Sequence, residues 1–439
     1  MFLEKILKDN PEILFIMPRS GLYKKGKGFR RYLTYAPLTL TTLASLVPKE
    51  LKARMRIIDE GVENVDYDKI SPDLVCLTGI TGHINRSYEI ADSFRKRNIP
   101  VILGGVHSTL MPEEAKQHAD SVVIGYAYRT FPQALLDLRK GNLKEFYREE
   151  NPCFEGIPIP RRDLLKKSGY ISINTTQAVF GCPNKCEFCV INATKQGYHH
   201  KPIPEVIKDI RALNSKLVFF LDPSPIEDKE YIKELYRQMI PLKITWMGLS
   251  TSKIIDDSEL LDLASESGCA GLLLGFESLS EKSLAKMNKP FNSLEKHYRL
   301  IKTLHDRNIA IQGCFAFGSD EDEKSIFQET VNFVNETGID LPRYTVYTPF
   351  PATPFFNRLK EEGRILTEDW SKYNCQNVVF QPKNMSPIEL EEGLEFAWRE
   401  SYSLKSIIKR LSKSRTRLPY MIIGNIGYRF YSKDHAKNK

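Results

Sequence analysis

Between residues 11 and 145 the chain alternates short apolar runs with longer stretches of mixed character. The runs are "EILFIMP" (12–18), "RMRIIDE" (54–60), "LVCLTGI" (74–80), "VILGGV" (101–106) and "SVVIGY" (121–126). Each has strand length and is mostly apolar, the pattern of strands covered on both faces. Helical spacing fills 37–47, 85–97, 111–118 and 131–139. Strands separated by helices predict an α/β fold: a doubly wound, Rossmann-like parallel sheet over 1–145 with right-handed crossovers. Residues 146–170 carry Pro152, Pro158, Pro160, Gly156 and Gly169 among charges and read as a linker. The alternation then restarts. Strands are expected at 172–180, 216–222, 244–250, 271–277, 310–318 and 342–350, with helices near 203–214, 227–239, 256–267, 293–307 and 322–337. Six such units predict a partial TIM-type (β/α)6 barrel over 171–384. The remainder, 385–439, reads as a basic C-terminal segment, helical over about 385–412.

In parallel sheets of this kind, ligands bind outside the carboxyl ends of the strands. Gly79 and Gly82 mark the end of the third strand, Gly104 and Gly105 that of the fourth, and Gly125 that of the fifth. Glycine lets backbone approach a ligand closely, so three successive strand ends outline a ligand face. No G-x-G-x-x-G occurs, which disfavours a dinucleotide. Arg19, Lys24, Lys25, Lys27, Arg30 and Arg31 follow the first strand with no acid among them, suited to phosphates at the same edge.

Charge changes the picture at one end only. The 439 residues carry a net +8, but Lys405–Lys439 holds ten Lys or Arg and one acid, Asp434. That segment is +9, which leaves the rest near −1. Trp398, Tyr402, Leu404, Ile407, Ile408 and Leu411 recur at helical spacing leading into it. The stripe fits packing on the protein's own core or contact with an anionic partner or membrane surface. The start does not read as a secretory leader, and no run reaches a spanning length. The expectation is a cytoplasmic protein with reduced thiols, able to touch a membrane through its tail.

The distinctive chemistry is "GCPNKCEFC" (181–189), three of eight cysteines at C-x3-C-x2-C directly after the first barrel strand. Cys182, Cys186 and Cys189 therefore sit at the carboxyl-end mouth, where barrel enzymes keep their chemistry. Structural zinc takes four ligands. His199 and His200 are near enough in sequence to supply a fourth, so zinc stays open at this point. Three cysteines on a 4Fe-4S cluster instead leave one iron with an open position.

This motif, with Phe188 before its third cysteine and closing the first strand of a partial barrel, resembles the radical S-adenosylmethionine (SAM) superfamily. The resemblance extends to "GFES" (275–278), "SLAKMNK" (283–289) and "YTPFPATPFF" (347–356). It implies that the three thiolates hold a 4Fe-4S cluster, that SAM chelates the open iron, and that one-electron cleavage of SAM yields a 5′-deoxyadenosyl radical. It further implies that Phe188 flanks the adenine, that Glu277 meets the ribose or methionine part, and that Ser250 and Ser252 bond the SAM carboxylate. Asp222 in "FLDPSP" stands where relatives carry small residues that bind the amino group. "FGSDEDE" (317–323) stands where relatives more often carry G-L-P-G-E-T, a more acidic loop that is expected to alter SAM or substrate contacts. An electron donor such as flavodoxin or ferredoxin is implied.

The front domain is similar to the cobalamin-binding domain of one subgroup of that superfamily. The matching stretches are 12–21, 35–47, "GGVHSTLMPEEA" (104–115) and 119–131. By this resemblance Thr78, Gly79, Gly104, Gly105, His107 and Gly125 contact cobalamin. There is no D-x-H-x-x-G, so no histidine is offered as an axial ligand. Tyr126 and Tyr128 stand where relatives carry two carboxylates. The function implied is cobalamin-dependent methylation, cyclisation or rearrangement at an unactivated carbon of a small or lipid-like substrate. The alternatives are a methylthiotransferase-like enzyme and a non-catalytic metal-holding protein. No nucleic-acid partner is expected, because no separate RNA-binding module follows the barrel.

Overall fold

The computed structural model describes residues 6–19 and 36–436. The cationic residues 24–31 lie outside them. Arg19 is described, and its amide donates to Glu60.

The front domain is one parallel sheet of six strands: β1 (Glu12–Met17), β2 (Arg54–Asp59), β3 (Leu74–Thr78), β4 (Val101–Gly104), β5 (Ser121–Ile124) and β6 (Phe146–Arg148). Their order is β2-β1-β3-β4-β5-β6. The chain winds one way from β1 to β2 and the other from β3 onward, so the sheet has a switch point between β1 and β3. Every residue of β3 and β5 is buried, as expected of strands covered on both faces. The sixth strand corrects the linker reading of 146–148. Charged Lys144, Glu145, Arg148 and Glu149 disguise it. Tyr147 is nevertheless buried, and its hydroxyl donates to Asp137 at 2.8 Å.

The second sheet is open and sequential. It comprises β7 (Thr175–Thr176), β10 (Leu217–Phe220), β11 (Thr245–Ser250), β12 (Cys269–Glu277), β13 (Ala310–Phe317) and β14 (Arg343–Val346), all parallel. The strand expected at 172–180 is split. Only Thr175–Thr176 joins the sheet, while β8 (Val179–Phe180) pairs antiparallel with β9 (His199–His200). The physical reason is Asp222. Its buried carboxylate accepts the amides of Ala178 and Val179 at 2.7 and 2.6 Å and draws that segment out of the ladder.

Along β12 the burial alternates, with Leu272, Leu274 and Phe276 packed against helices and Gly271, Leu273, Gly275 and Glu277 facing the lumen. Three C-terminal helices follow: Pro387–Ser401, Leu404–Ser414 and Leu418–Ala436. The last extends helix well beyond residue 412. Trp398, Tyr402, Ile407 and Leu411 of the predicted stripe are buried; Leu404 and Ile408 are exposed. The domains are not independent. Phe356, Trp370, Tyr373 and Val379, from beyond the last barrel strand, pack into the core of the front sheet.

Candidate active site

The cysteine loop leaves β8 at the carboxyl ends of the barrel strands. Gly181 makes the turn at φ +72°, where a Cβ would collide with the Gly197 carbonyl. Cys186 is buried, and Cys182 and Cys189 are half-buried. The amides of Ile191 and Asn192 bond the Cys189 sulfur, and Asn184 donates to that of Cys182 at 3.3 Å. Burial pushes the Cys186 thiol up to about 12, against the pull of the Lys289 ammonium. These thiols become thiolates when a metal supplies positive charge.

Among the described residues, no three His, Cys, Asp or Glu side chains converge on a single ion. His199 is bonded to the Gln196 carbonyl at 2.8 Å, and His200 stacks on Tyr231 with ring centres 4.1 Å apart. The zinc reading therefore lacks its tetrahedral set. In a cluster, by contrast, each sulfur binds its own iron.

Two distant stretches brace the loop. The Glu187 carboxylate accepts from Tyr347 at 2.9 Å and Arg358 at 3.1 Å, and its carbonyl accepts from the Phe355 amide. The Glu187 amide donates to Met287, and Asn288 donates to the Lys185 carbonyl. "SLAKMNK" and "YTPFPATPFF" thus hold the cysteine loop from two sides. Phe188 packs edge-on against Tyr347, with ring centres 5.2 Å apart.

Glu277 ends β12 in the left-handed region, at φ 65°, beside a break in register. Its carboxylate pairs with Lys289, so the barrel lysine that a buried carboxylate needs is present. A Cβ on Gly275 would meet the Glu277 carboxylate at 2.3 Å, so glycine there makes room for the pair. Burial alone would depress the Lys289 ammonium, but the charges of Glu277 and Cys186 hold it above its ordinary value. Its Nζ also lies 5.8 Å from the ring centres of Phe188 and Phe291. Lys289 and Asn292 were missed by sequence reasoning. Asn292 bonds the carbonyls of Gly275 and Phe276 at 3.0 and 3.1 Å and accepts from Ser252. The signal was "NKPFN", a polar run ending in a buried asparagine.

Other expected residues have partners within the protein. Ser252 spends its hydroxyl on Asn292 and the Phe291 carbonyl, holding a turn. Ser250 donates to the Thr251 carbonyl. Between them, Thr251 Oγ1 is buried with no hydrogen-bond partner. Asp222 is consumed by the amides of Ala178 and Val179, and burial raises its carboxyl to about 7, so it offers nothing to an amino group. The acidic loop is consumed as well. Asp320 pairs with Arg358 and Arg364 at 2.6 and 2.7 Å, and Asp322 accepts the Gly318 and Ser319 amides.

At the front sheet, Thr78, Gly104, Gly105 and Gly125 line one cavity of about 330 Å³ at the strand ends. Leu38, Thr42, Tyr126, Tyr128 and Phe131 line it from the same domain, and Gln177 and Phe180 from the barrel. Gly105, at φ +103°, has no room for a Cβ, which would meet Thr78 Oγ1 and the Gly79 carbonyl at 2.7 Å. Gly79 lies outside the lining; its carbonyl accepts the His107 amide.

His107 is fully buried, its ring between Thr81 Oγ1 (3.1 Å) and Glu114 (3.2 Å), and edge-on to Trp370. With both ring nitrogens engaged, it does not face the cavity. The long pattern around it is largely scaffold: Thr109 bonds the Gly125 amide, and Glu114 also takes Tyr88 and Trp370. Tyr126 and Tyr128 join Phe154 and Phe180 in an aromatic wall between the domains. Cobalamin fits in part. The cavity admits a portion of it against glycine backbone, and none of the described lining residues is an axial histidine.

An open six-stranded barrel with a three-cysteine loop at its mouth, behind a parallel sheet with a cavity at its strand ends, defines a class. The chain belongs to the radical SAM superfamily, in the subgroup with an N-terminal cobalamin-binding domain. The family model described as Radical SAM superfamily matches residues 177–333, and that described as B12 binding domain matches 55–135. Among its relatives is the bacteriochlorophyllide d C-12(1)-methyltransferase of Chlorobaculum tepidum, 30% identical over 85% of this chain and 84% of that protein. The C-8(2)-methyltransferase of the same organism is 30% identical over 85% and 87%. The fold is similar to that of the radical SAM methyltransferase TsrM from Kitasatospora setae, with TM-score 0.64 and 15% identity over 81% of this chain and 78% of that one. The protein is thus a radical SAM enzyme whose cofactors are a 4Fe-4S cluster, SAM and cobalamin.

Proposed function

We propose that the protein transfers a methyl group to an unactivated carbon of an apolar, tetrapyrrole- or lipid-like molecule. The observation that carries this reading is its 30% identity, along most of its length, to two methyltransferases named for bacteriochlorophyllide d. The barrel interior supports it. A cavity of about 190 Å³ is walled by Phe219, Met247, Leu273, Ile311 and Tyr428, with Arg343 as the charged residue of its described lining. Such walls suit an apolar group.

The bound cofactors supply one-electron cleavage and methyl carriage. The chain supplies position and dryness. Cys182, Cys186 and Cys189 hold the cluster, and the Glu187–Arg358–Asp320 ion pairs fix their loop. Phe188 and Tyr347 form an aromatic wall for adenine. Glu277, steered by Lys289, takes the ribose or methionine end. Ser250, at the end of β11, supplies the hydroxyl for the SAM carboxylate. Thr78, Gly104, Gly105 and Gly125 cradle part of the cobalamin. Flavodoxin or ferredoxin is the kind of donor that supplies the electron.

The test is anaerobic turnover of the reconstituted enzyme with SAM, reductant and either a chlorophyllide-type chlorin or a polycyclic triterpene. A mass gain of one methylene unit on either acceptor supports the reading. SAM cleavage with no methylated product from either class overturns it.

A further inference from the structure

The last two helices expose what helices of a soluble domain usually bury. In Leu418–Ala436, Met421, Asn425 and Gly427 face inward. Tyr420 (67% exposed), Ile422 (46%), Ile423 (66%) and Ile426 (46%) face solvent. Positions 422, 423 and 426 share one helix face. In Leu404–Ser414, Ile407, Arg410 and Leu411 are buried, while Leu404 (61%) and Ile408 (68%) are exposed one turn apart. Lys405 and Lys409 lie beside them in the open, as do Lys413, Arg415 and Lys433. From Lys405 to Lys433 the sequence has no acid. Branched aliphatic side chains bare to water beside lysines, on helices whose own sequence is cationic, are not a solubility device.

We infer that this face docks on the surface of an anionic lipid bilayer. The isoleucines enter the headgroup–acyl boundary, and the lysines meet lipid phosphates. Charge selects this occupant over a second copy of the chain, because pairing the face with itself would oppose cation to cation. No helix of the described residues is long and apolar enough to cross a membrane, so the helix lies on the surface. The docking does not depend on the substrate reading and stands or falls separately from it.

The test is co-sedimentation of the full-length, cluster-loaded protein with vesicles. One set is phosphatidylcholine, the other equimolar phosphatidylcholine and phosphatidylglycerol. Binding is expected to the anionic set, weakly to the neutral set, and to fall as salt rises. Ile423→Glu/Ile426→Glu should lower binding at least about tenfold by removing buried apolar area. Lys405→Glu/Lys409→Glu should lower it about fivefold per charge removed, and keeps the test decisive if the isoleucine variant misfolds. Both should form 5′-deoxyadenosine from SAM at the parent rate without vesicles. Equal binding to both vesicle types, no binding, or variants that bind like the parent would overturn the proposal. So would a dimer in sedimentation equilibrium that Ile423→Glu dissolves, which would assign the face to a second copy.

Discussion

The barrel mouth and the edge of the front sheet both carry long sequence signals, and the two use them differently. At the mouth, motif residues sit on one loop and on the two stretches that brace it. Three thiols share one loop, and Glu187, Arg358 and Lys289 brace it with charge. At the front sheet, motif side chains turn inward. His107 and Glu114 bond each other, and Thr109 pins the strand end at Gly125. What is left for the ligand there is glycine backbone and a mostly apolar wall, with Thr42, Thr78 and Gln177 among it. A group held by coordination needs side-chain donors at fixed spacing. A group held by shape needs room, and its motif records the scaffold that keeps the room open.

Cys186→Ala should break the comparison on the barrel side outright. Iron content and 5′-deoxyadenosine formation should vanish while cobalamin binding persists; a variant that still cleaves SAM would refute the ligand assignment. Asp222→Asn comes next. Burial raises the Asp222 carboxyl from 3.8 to about 7. A raised folded value means stability present in acid and lost as pH rises from about 4 to 7. The loss is of order 4 kcal/mol by the shift, and asparagine can still accept both amides. Melting of the two proteins should coincide near pH 4 and separate above 7, with the variant higher; parallel curves would contradict this.

Glu277→Gln leaves Lys289 buried without its anion and should cost about 3 kcal/mol. Iron should stay while SAM affinity falls, and unchanged affinity would remove Glu277 from the site. On the front side, Gly105→Ala combines a left-handed φ with a Cβ collision, worth about 2 kcal/mol of strain. Cobalt should be lost and iron kept. His107→Ala sharpens the contrast from the other direction. It should lower the melting temperature by an equivalent of about 1 kcal/mol and leave cobalamin affinity unchanged. A large drop in affinity would restore His107 as a ligand.

Much of this was legible in the chain. Apolar runs located the long strands because each is buried on both faces, and C-x3-C-x2-C located the cluster loop because coordination demands spacing. Three things were hidden. Phe146–Arg148 is flanked by charge on both sides, so a strand read as a linker. The split of 172–180 depends on Asp222, some 40 residues away, reaching back to two amides. Lys289 and Asn292 act across the barrel mouth, and a partner in space leaves no periodicity in sequence. Asp222, Ser252 and His107 are each engaged within the protein, for a shared reason. A polar residue at the right strand end is as readily spent on the protein's own backbone and neighbours as on a ligand.

The most direct test of the central claim is metal analysis of the protein reconstituted anaerobically with iron and sulfide and offered cobalamin and zinc. The account predicts about four irons and one cobalt per chain, with iron lost in Cys186→Ala and cobalt lost in Gly105→Ala. Zinc bound in place of iron at wild-type cysteines would contradict it.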